Sequence, residues 1–454
     1  MSQLQTAFLG GWVMSDIAKP GQPIGVIGAL SIGVGGIVGG GFFATFGITI
    51  DGALGGTPIA FLIGGCIALV TAYSYIGLTI RYPGPGGTIG FLRIAYGRGL
   101  LPASISVLLV LSYVAIMSVY ASAMASYSTP YLPEGMRPAA HYFIASTAIA
   151  ILGFVNFAGA KLMERMESIF NVGKLGVLGL FVVAGFLVGQ LEWTRFEPAA
   201  WAPVSNVIAT GMLGFLAYEG FELISNASGD IENPKRTLPI ALIGSVAIAI
   251  VIYFLAFIVA IGHMSFEAVR ESRDFAVSMA ASTFLGPIGF GIMTVGAVLA
   301  SASAINADYF GAAKLPVRLS EHDELPSVFH SAIRGQSLAS LIVIGFLALI
   351  AVNFVDIQAL SAATSGGFLV VYAAVNIAAI RLRRETGTAP WIPAFAFLLC
   401  LAALVLMIIQ FLSSDRTVPS AIAVVAIVVI SIAIELAFRL IHGRPSVQRR
   451  HAAT

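Results

Sequence analysis

Apolar residues run along this chain in twelve long blocks, separated by short polar or charged stretches. The blocks lie near 24–50, 55–80, 101–128, 139–159, 168–190, 203–229, 238–262, 287–312, 335–353, 358–380, 391–413 and 418–440. Each is long enough to cross a bilayer as a helix rising ~1.5 Å per residue. Membrane strands would show short alternating segments, and these blocks are continuous. The pattern predicts an all-α polytopic membrane protein with 12 transmembrane helices, the arrangement that satisfies every backbone group within its own segment. The stretch GGTIGFLRIAYG (86–97) is apolar but too short to span, and is expected along the cytoplasmic interface. Segment 263–286 carries Glu267, Arg270, Glu271, Arg273 and Asp274, and is expected to form short helices capping the outer mouth.

Composition agrees. Of 454 residues, 58% are hydrophobic and 10% charged, with a mean hydropathy of +0.94. A soluble domain carries roughly 25% charged residues, so a soluble enzyme and a disordered chain are both excluded. A net charge of +2 gives no reason to expect nucleic acid as a partner; membrane lipid is the partner that the apolar blocks demand. Cys66 and Cys400 sit in apolar runs without disulfide or metal-ligand spacing. The six histidines fall in loops or the tail, which leaves a membrane enzyme without a nucleophile–base pair or metal cluster. No cofactor is expected.

Lys and Arg set the orientation. With the N-terminus inside, eighteen of the 24 basic residues face the cytoplasm and five face outward, with Lys174 left inside a span. Acids split evenly on the same map, so only the bases are lopsided. Both termini are expected in the cytoplasm, and the chain is expected in the plasma (inner) membrane.

Two spans contain sequence that helices tolerate badly. Span one, IGVIGALSIGVGGIVGGGFFATFGITI, includes the run Gly39-Gly40-Gly41. Each helix-interior glycine costs ~1 kcal/mol relative to alanine. Close GxxxG packing accounts for Gly35/Gly39 or Gly36/Gly40; a break accounts for the triple. The amides after a break would face a cavity and suit an anionic group. Span six, VSNVIATGMLGFLAYEGFELISNASGD, has Gly211, Gly214 and Gly220 with Glu219 and Glu222 near mid-membrane. Buried carboxylates either pair with a neighbouring helix or line a cavity at an interruption. Spans one and six are five apart, so their groups of five have opposite orientation. That is the pattern of inverted repeats with a binding site at the broken helices. The divisions are 1–23, a cytoplasmic N-terminal segment; 24–190, the first repeat; 203–381, the second; 391–440, helices 11 and 12; and 441–454, a cytoplasmic basic tail.

Four segments resemble a known family. Val38-Gly39-Gly40-Gly41-Phe42-Phe43 resembles I-G-S/A-G-I-F. Ala72 to Gly77, with Tyr82-Pro83-Gly84-Pro85-Gly86-Gly87, resembles S-Y-A-E-L-G…P-x-x-G-G-x-Y. Phe215 to Glu222, followed by Glu232-Asn233-Pro234-Lys235-Arg236-Thr237-Leu238-Pro239, is similar to F-x-A-Y-x-G-F-E…E-x-x-N-P-x-R-x-x-P. Ser301 to Ala307, with Leu325-Pro326 and Phe329, resembles the small-residue stretch of helix eight and its L-P-x-x-F. Across roughly 24–440 the chain resembles the amino acid–polyamine–organocation (APC) permeases, in particular proton-coupled bacterial and archaeal amino acid transporters. It departs at Gly40, where Ser or Ala is commoner, at Tyr75, in place of an acid, and at Phe42, in place of Ile.

The resemblance implies a secondary transporter with the five-plus-five inverted-repeat fold and no enzymatic chemistry. Its substrate would be a small molecule, an amino acid or related amine, moved by alternating access together with protons. The substrate carboxylate would sit on the amides of Gly39, Gly40 and Gly41, and its ammonium on carbonyls of Phe215, Leu216, Ala217 and Tyr218. Phe221 would serve as a lid or as core packing. Lys174 either snorkels to the interface or, as the family implies, replaces a coupling cation between helices one and eight near Gly33, Val34 and Ser301. Glu222 would relay protons or hold the unwound backbone. Glu219 would recognise a cationic substrate group or pair with Lys174. Tyr113 and Tyr120, seven apart, share a helix face. Asp308 and Glu435 are expected to reach interfacial water. An inorganic-cation carrier or channel on the same scaffold is the alternative; it would need convergent oxygens, and the Gly39–Gly41 amides would then have no role.

Overall fold

The computed structural model describes residues 23–442 apart from 85, 159, 321–326, 331, 334–335 and 416. The N-terminal segment, all but the start of the basic tail, and the Leu325-Pro326 motif therefore lie outside the described residues. In chain order, span one is two helices, α1 (Val26–Ile37) and α2 (Gly40–Ala53), bent by 46°. Then come α3 (Thr57–Arg81), the short α4 (Gly87–Tyr96), α5 (Leu100–Ser128), α6 (Arg137–Ala158) and α7 (Ala160–Leu187). Span six comprises α8 (Val204–Gly214), a 3-10 turn at Phe215–Tyr218 and α9 (Leu223–Asn226). After it run α10 (Pro234–His263), α11 (Phe266–Glu271), α12 (Ala276–Ala312), α13 (Lys314–Ser320), α14 (Leu338–Phe354), α15 (Ile357–Arg381), α16 (Arg383–Thr386), α17 (Trp391–Leu412) and α18 (Val418–His442). Counting each broken pair once, and α14 with its 17 residues, the described residues contain twelve helices or broken pairs apolar enough to be candidate spans. A two-residue antiparallel pairing, Ala332–Ile333 with Gln336–Ser337, precedes α14.

The interfacial segment forms α4, and the outer segment forms α11 and the start of α12. Helix α12 is kinked at Gly286, whose φ of 62° precedes Pro287; residues Ala276 to Leu285 therefore form a separate helical segment before the span proper begins. Arg270 of α11 pairs with Asp51 at the end of α2 (2.8 Å). Helices α5 and α15 are largely enclosed, whereas α6, α7, α17 and α18 leave most of their surface uncovered. That outer surface is Leu, Ile, Val and Phe, as at Phe154, Leu180, Leu398 and Ile422. Lipid tails are as apolar as these side chains, so the exposure carries no penalty.

Spans one and six are tied together at both ends. Ile24 donates to Asp230 O (2.7 Å) and Glu232 donates to Ile24 O (2.9 Å). At the other end Gly55 donates to Ala200 O (3.1 Å) and Ala202 to Ala53 O (3.3 Å). The start of one broken span thus meets the end of the other, twice, as an inverted repeat requires.

Candidate functional site

Helix α1 stops at Ile37. Val38 leaves the helical region (φ −77°, ψ 74°), Gly39 is extended, and α2 restarts at Gly40 with no side chain capping it. The break is thus Val38-Gly39, while Gly40 and Gly41 already form the first turn of α2. First-turn amides have no intrahelical acceptor, and they form the positive end of the helix dipole. The amide of Gly39 differs: it donates to Ile37 O (2.8 Å), closing the turn between the two helices. That corrects the expectation that all three glycine amides are available.

Facing α2 is the 3-10 turn of span six. A Cβ placed on Gly41 would lie 3.2 Å from Leu216 O and 3.3 Å from Ala217 Cα. Of the four expected carbonyls, Leu216 O accepts the Glu219 amide (3.3 Å), and Ala217 O accepts the Tyr253 hydroxyl (3.1 Å). The same hydroxyl also donates to Ile37 O (2.9 Å), linking the two breaks. Phe215 and Tyr218 are buried beside them. A Cβ on Gly40 would sit 2.7 Å from the Tyr120 ring. Replacing Gly40 with leucine is therefore expected to abolish binding of a labelled substrate to purified protein while leaving expression and elution profile unchanged; wild-type binding by Gly40→Leu would move the site elsewhere.

Beside this crossing lies a small cavity, with about 10 Å³ open to the centre of a water molecule. The broken spans contribute Gly36, Glu219, Gly220, Glu222 and Leu223. Helix α5 contributes Tyr113, Ile116 and Tyr120, spaced on one face. Helix α12 contributes Ala304, Ala307 and Asp308, and α15 contributes Phe368. A larger cavity of about 500 Å³ lies beside α4, between Arg81, Arg93 and Arg318, and touches neither break. The smaller one is the candidate site because both interrupted spans line it, although Gly39–Gly41 and Phe215–Tyr218 stand beside it and not in its lining.

The two acids of span six have different surroundings. Glu222 is 3% exposed and accepts from Tyr113 (3.1 Å), Tyr372 (2.9 Å) and the Gly220 amide (3.0 Å). It holds the unwound segment against α5 and α15. Glu222→Gln replaces one acceptor with a donor, so a tyrosine must reverse its hydroxyl or lose its bond, and the charge that strengthens the contacts is removed. Bonds to charged groups are worth about 1.5–3 kcal/mol, so a lower thermal midpoint in detergent is expected; an unchanged midpoint would remove this bracing role. Glu219 is 3% exposed, and both its carboxylate oxygens are buried without a hydrogen-bond partner among the described residues. Asp308 is 7% exposed and shares the cavity wall, which corrects its expected place in interfacial water. Glu435 is also buried, with Arg439 donating to it at 2.6 Å. Phe221 packs between Tyr75 and Tyr372, with ring centroids 5.4 Å from each, and is a core residue outside the cavity lining.

Lys174 of α7 is fully buried, so its ammonium does not snorkel. It donates to Gly35 O (2.6 Å) on α1 and to Ser303 Oγ (2.9 Å) on α12. Those are the two spans expected, but the contacts shift from Gly33, Val34 and Ser301 to Gly35 and Ser303. Residues two apart on a helix point roughly 200° apart. Gly33 faces Ser245 and Ile224, whereas Gly35 faces Asn171 on α7. Ser301 Oγ is buried with no hydrogen-bond partner.

Asp308 is the residue that sequence reasoning set aside. The signal was present: Ala304, Ala307 and Asp308 stand at i, i+3 and i+4, one face of the helix that carries the small-residue stretch.

A family model described as amino acid permease matches residues 24–433. An uncharacterised protein of Methanocaldococcus jannaschii is 32% identical over 383 residues, covering 84% of this chain and 87% of its own. The inner membrane transport protein YbaT of Escherichia coli is 30% identical over 368 residues, covering 80% and 84%. A solved structure, a manganese transporter mutant of Eremococcus coleocola, superposes with a TM-score of 0.59 at 12% identity, covering 91% of this chain and 93% of that one. At that identity the likeness concerns the fold.

Proposed function

The chain belongs to the amino acid permease family, and is a membrane transporter of small molecules rather than an enzyme; on that premise we propose that it carries amino acids or related amines by alternating access, coupled to protons. The observation that carries the reading is the crossing of the two interrupted spans. It sets the uncapped amide end of α2 against the carbonyls of the Phe215–Tyr218 turn. Opposite dipole ends at one point suit a ligand bearing both a carboxylate and an ammonium. Protonated Lys174 ties span one to span eight through Gly35 and Ser303. Loss of its proton would remove the charge from that tie and release the two spans, linking protonation to gating. The segments 24–190 and 203–381 act as the two repeats that rock against each other. The excess of Lys and Arg on one side supports a plasma-membrane protein with both termini in the cytoplasm; the Escherichia coli relative is named for the inner membrane.

The inorganic-cation reading has less support. Among the described residues no three His, Cys, Asp or Glu come close enough to share a metal ion. The test is uptake of a radiolabelled amino-acid panel into proteoliposomes, with and without a pH gradient or sodium. Accumulation of an amino acid driven by the pH gradient alone is expected. No uptake of any member, or a strict need for sodium, would overturn the proposal.

A further inference from the structure

We propose that the transported ligand carries a second positively charged group, an ammonium or guanidinium on an alkyl stem, which is received by Glu219 and Asp308; this rests on the reading of the small cavity as the substrate site. Three carboxylates line that cavity: Glu219, Glu222 and Asp308. Glu222 is engaged by three donors and has a bracing role without any ligand. Glu219 is different, since it is buried, lines the cavity and has neither oxygen hydrogen-bonded. An orphaned buried carboxylate is costly, so its place in the cavity wall calls for a partner that comes and goes.

Among the described residues, no Lys or Arg lines that cavity. The cavity-lining helices α1, α5, α9 and α12 contain no Lys or Arg. Helix α15 has one, Arg381, at its far end, stacked over the Tyr96 ring of α4 at 4.4 Å. Lys174 is buried nearby but donates to Gly35 O and Ser303 Oγ and is not part of the cavity lining. A neutral zwitterion balances its own charge at the two breaks and would leave Glu219 stranded. A ligand with an additional cation would not. The acids are too dispersed for one metal ion among the described residues, which favours an extended organic cation over a point charge. Ile116, Leu223 and Phe368 offer apolar wall for the methylene stem. The space open to the centre of a water molecule is only about 10 Å³, roughly one water, so the helices must part for the ligand to enter.

The test is competition against the labelled substrate in proteoliposomes of the full chain, with matched probes: lysine against norleucine, and arginine against citrulline. Lysine and arginine are expected to compete at least tenfold better than their neutral partners. In Glu219→Gln that ratio should fall towards one while norleucine binding persists. Asp308→Asn serves as a second variant should the first fail to fold, with the same expectation. Equal competition by charged and neutral probes in the wild type would overturn the proposal. So would an unchanged ratio in a folded Glu219→Gln with an altered pH profile, which would make Glu219 a proton carrier. Gly40→Leu separates the two levels: if it leaves all competition intact, the site itself is misplaced, whereas if it abolishes binding of every probe and the wild-type charge ratio is one, only the second-cation inference fails.

Discussion

Substitution of Gly220 by alanine is expected to abolish uptake, lowering the initial rate at least tenfold. Gly220 has a φ of 109°, where a Cβ is strongly disfavoured. The added atom would also lie 2.6 Å from Gly36 C, 2.7 Å from Gly36 O and 3.0 Å from Ile37 N. These are backbone atoms, so no side-chain rotation relieves the overlap. Either the unwound segment moves away from α1 or α1 bends further. Both displace Glu222, which accepts the Gly220 amide, and both open the crossing where the ligand is proposed to sit. Gly90→Ala is the control: a Cβ there meets nothing within 4 Å, and the position is helical in α4. Its uptake should match wild type. If Gly220→Ala transports normally in the same preparation, the close backbone contact between the two breaks has no bearing on transport.

The parts of this site visible in sequence are those that violate helix rules inside apolar blocks. Gly39-Gly40-Gly41 and the Glu219-Gly220-Phe221-Glu222 cluster could not be ordinary span interior, and the structure interrupts both spans there. Helix rotation was not visible. Nothing in the sequence says whether Gly33 or Gly35 turns towards α7, and the answer decides which carbonyl Lys174 meets. Depth was not visible either. Asp308 stands four residues from the end of an apolar block, where a carboxylate ordinarily reaches water, but α12 continues to Ala312 and α13 follows at Lys314, so Asp308 stays enclosed. The difference between Glu219 and Glu222 rests on partners remote in sequence. Tyr113 and Tyr372 lie 109 and 150 residues from Glu222, and no local pattern pairs them.

Lys174→Ala is expected to lose pH-driven accumulation, by tenfold or more, while still exchanging substrate across the membrane when no gradient is imposed. The argument starts from the two bonds. Gly35 O and Ser303 Oγ belong to different spans, and Lys174 Nζ, on a third, donates to both. Hydrogen bonds to a charged group are worth about 1.5–3 kcal/mol each, and about 1.4 kcal/mol is a factor of ten in a conformational equilibrium. Losing one such bond is therefore enough to shift the closed and open populations tenfold. In the wild type that shift would follow the proton on Lys174: bound, the charge ties span one to span eight; released, the tie weakens. Alanine removes the tie in every state, so the gate no longer reports the proton and an imposed pH gradient has nothing to act on. Exchange needs the gate to move but not to sense protons, and so survives. Lys174→Met, which keeps the length of the side chain without its charge, should behave like alanine if charge is the agent and like wild type if bulk is. Uphill accumulation by Lys174→Ala equal to wild type, or accumulation by the wild type that follows a sodium gradient instead, would assign the lysine a packing role and remove it from coupling.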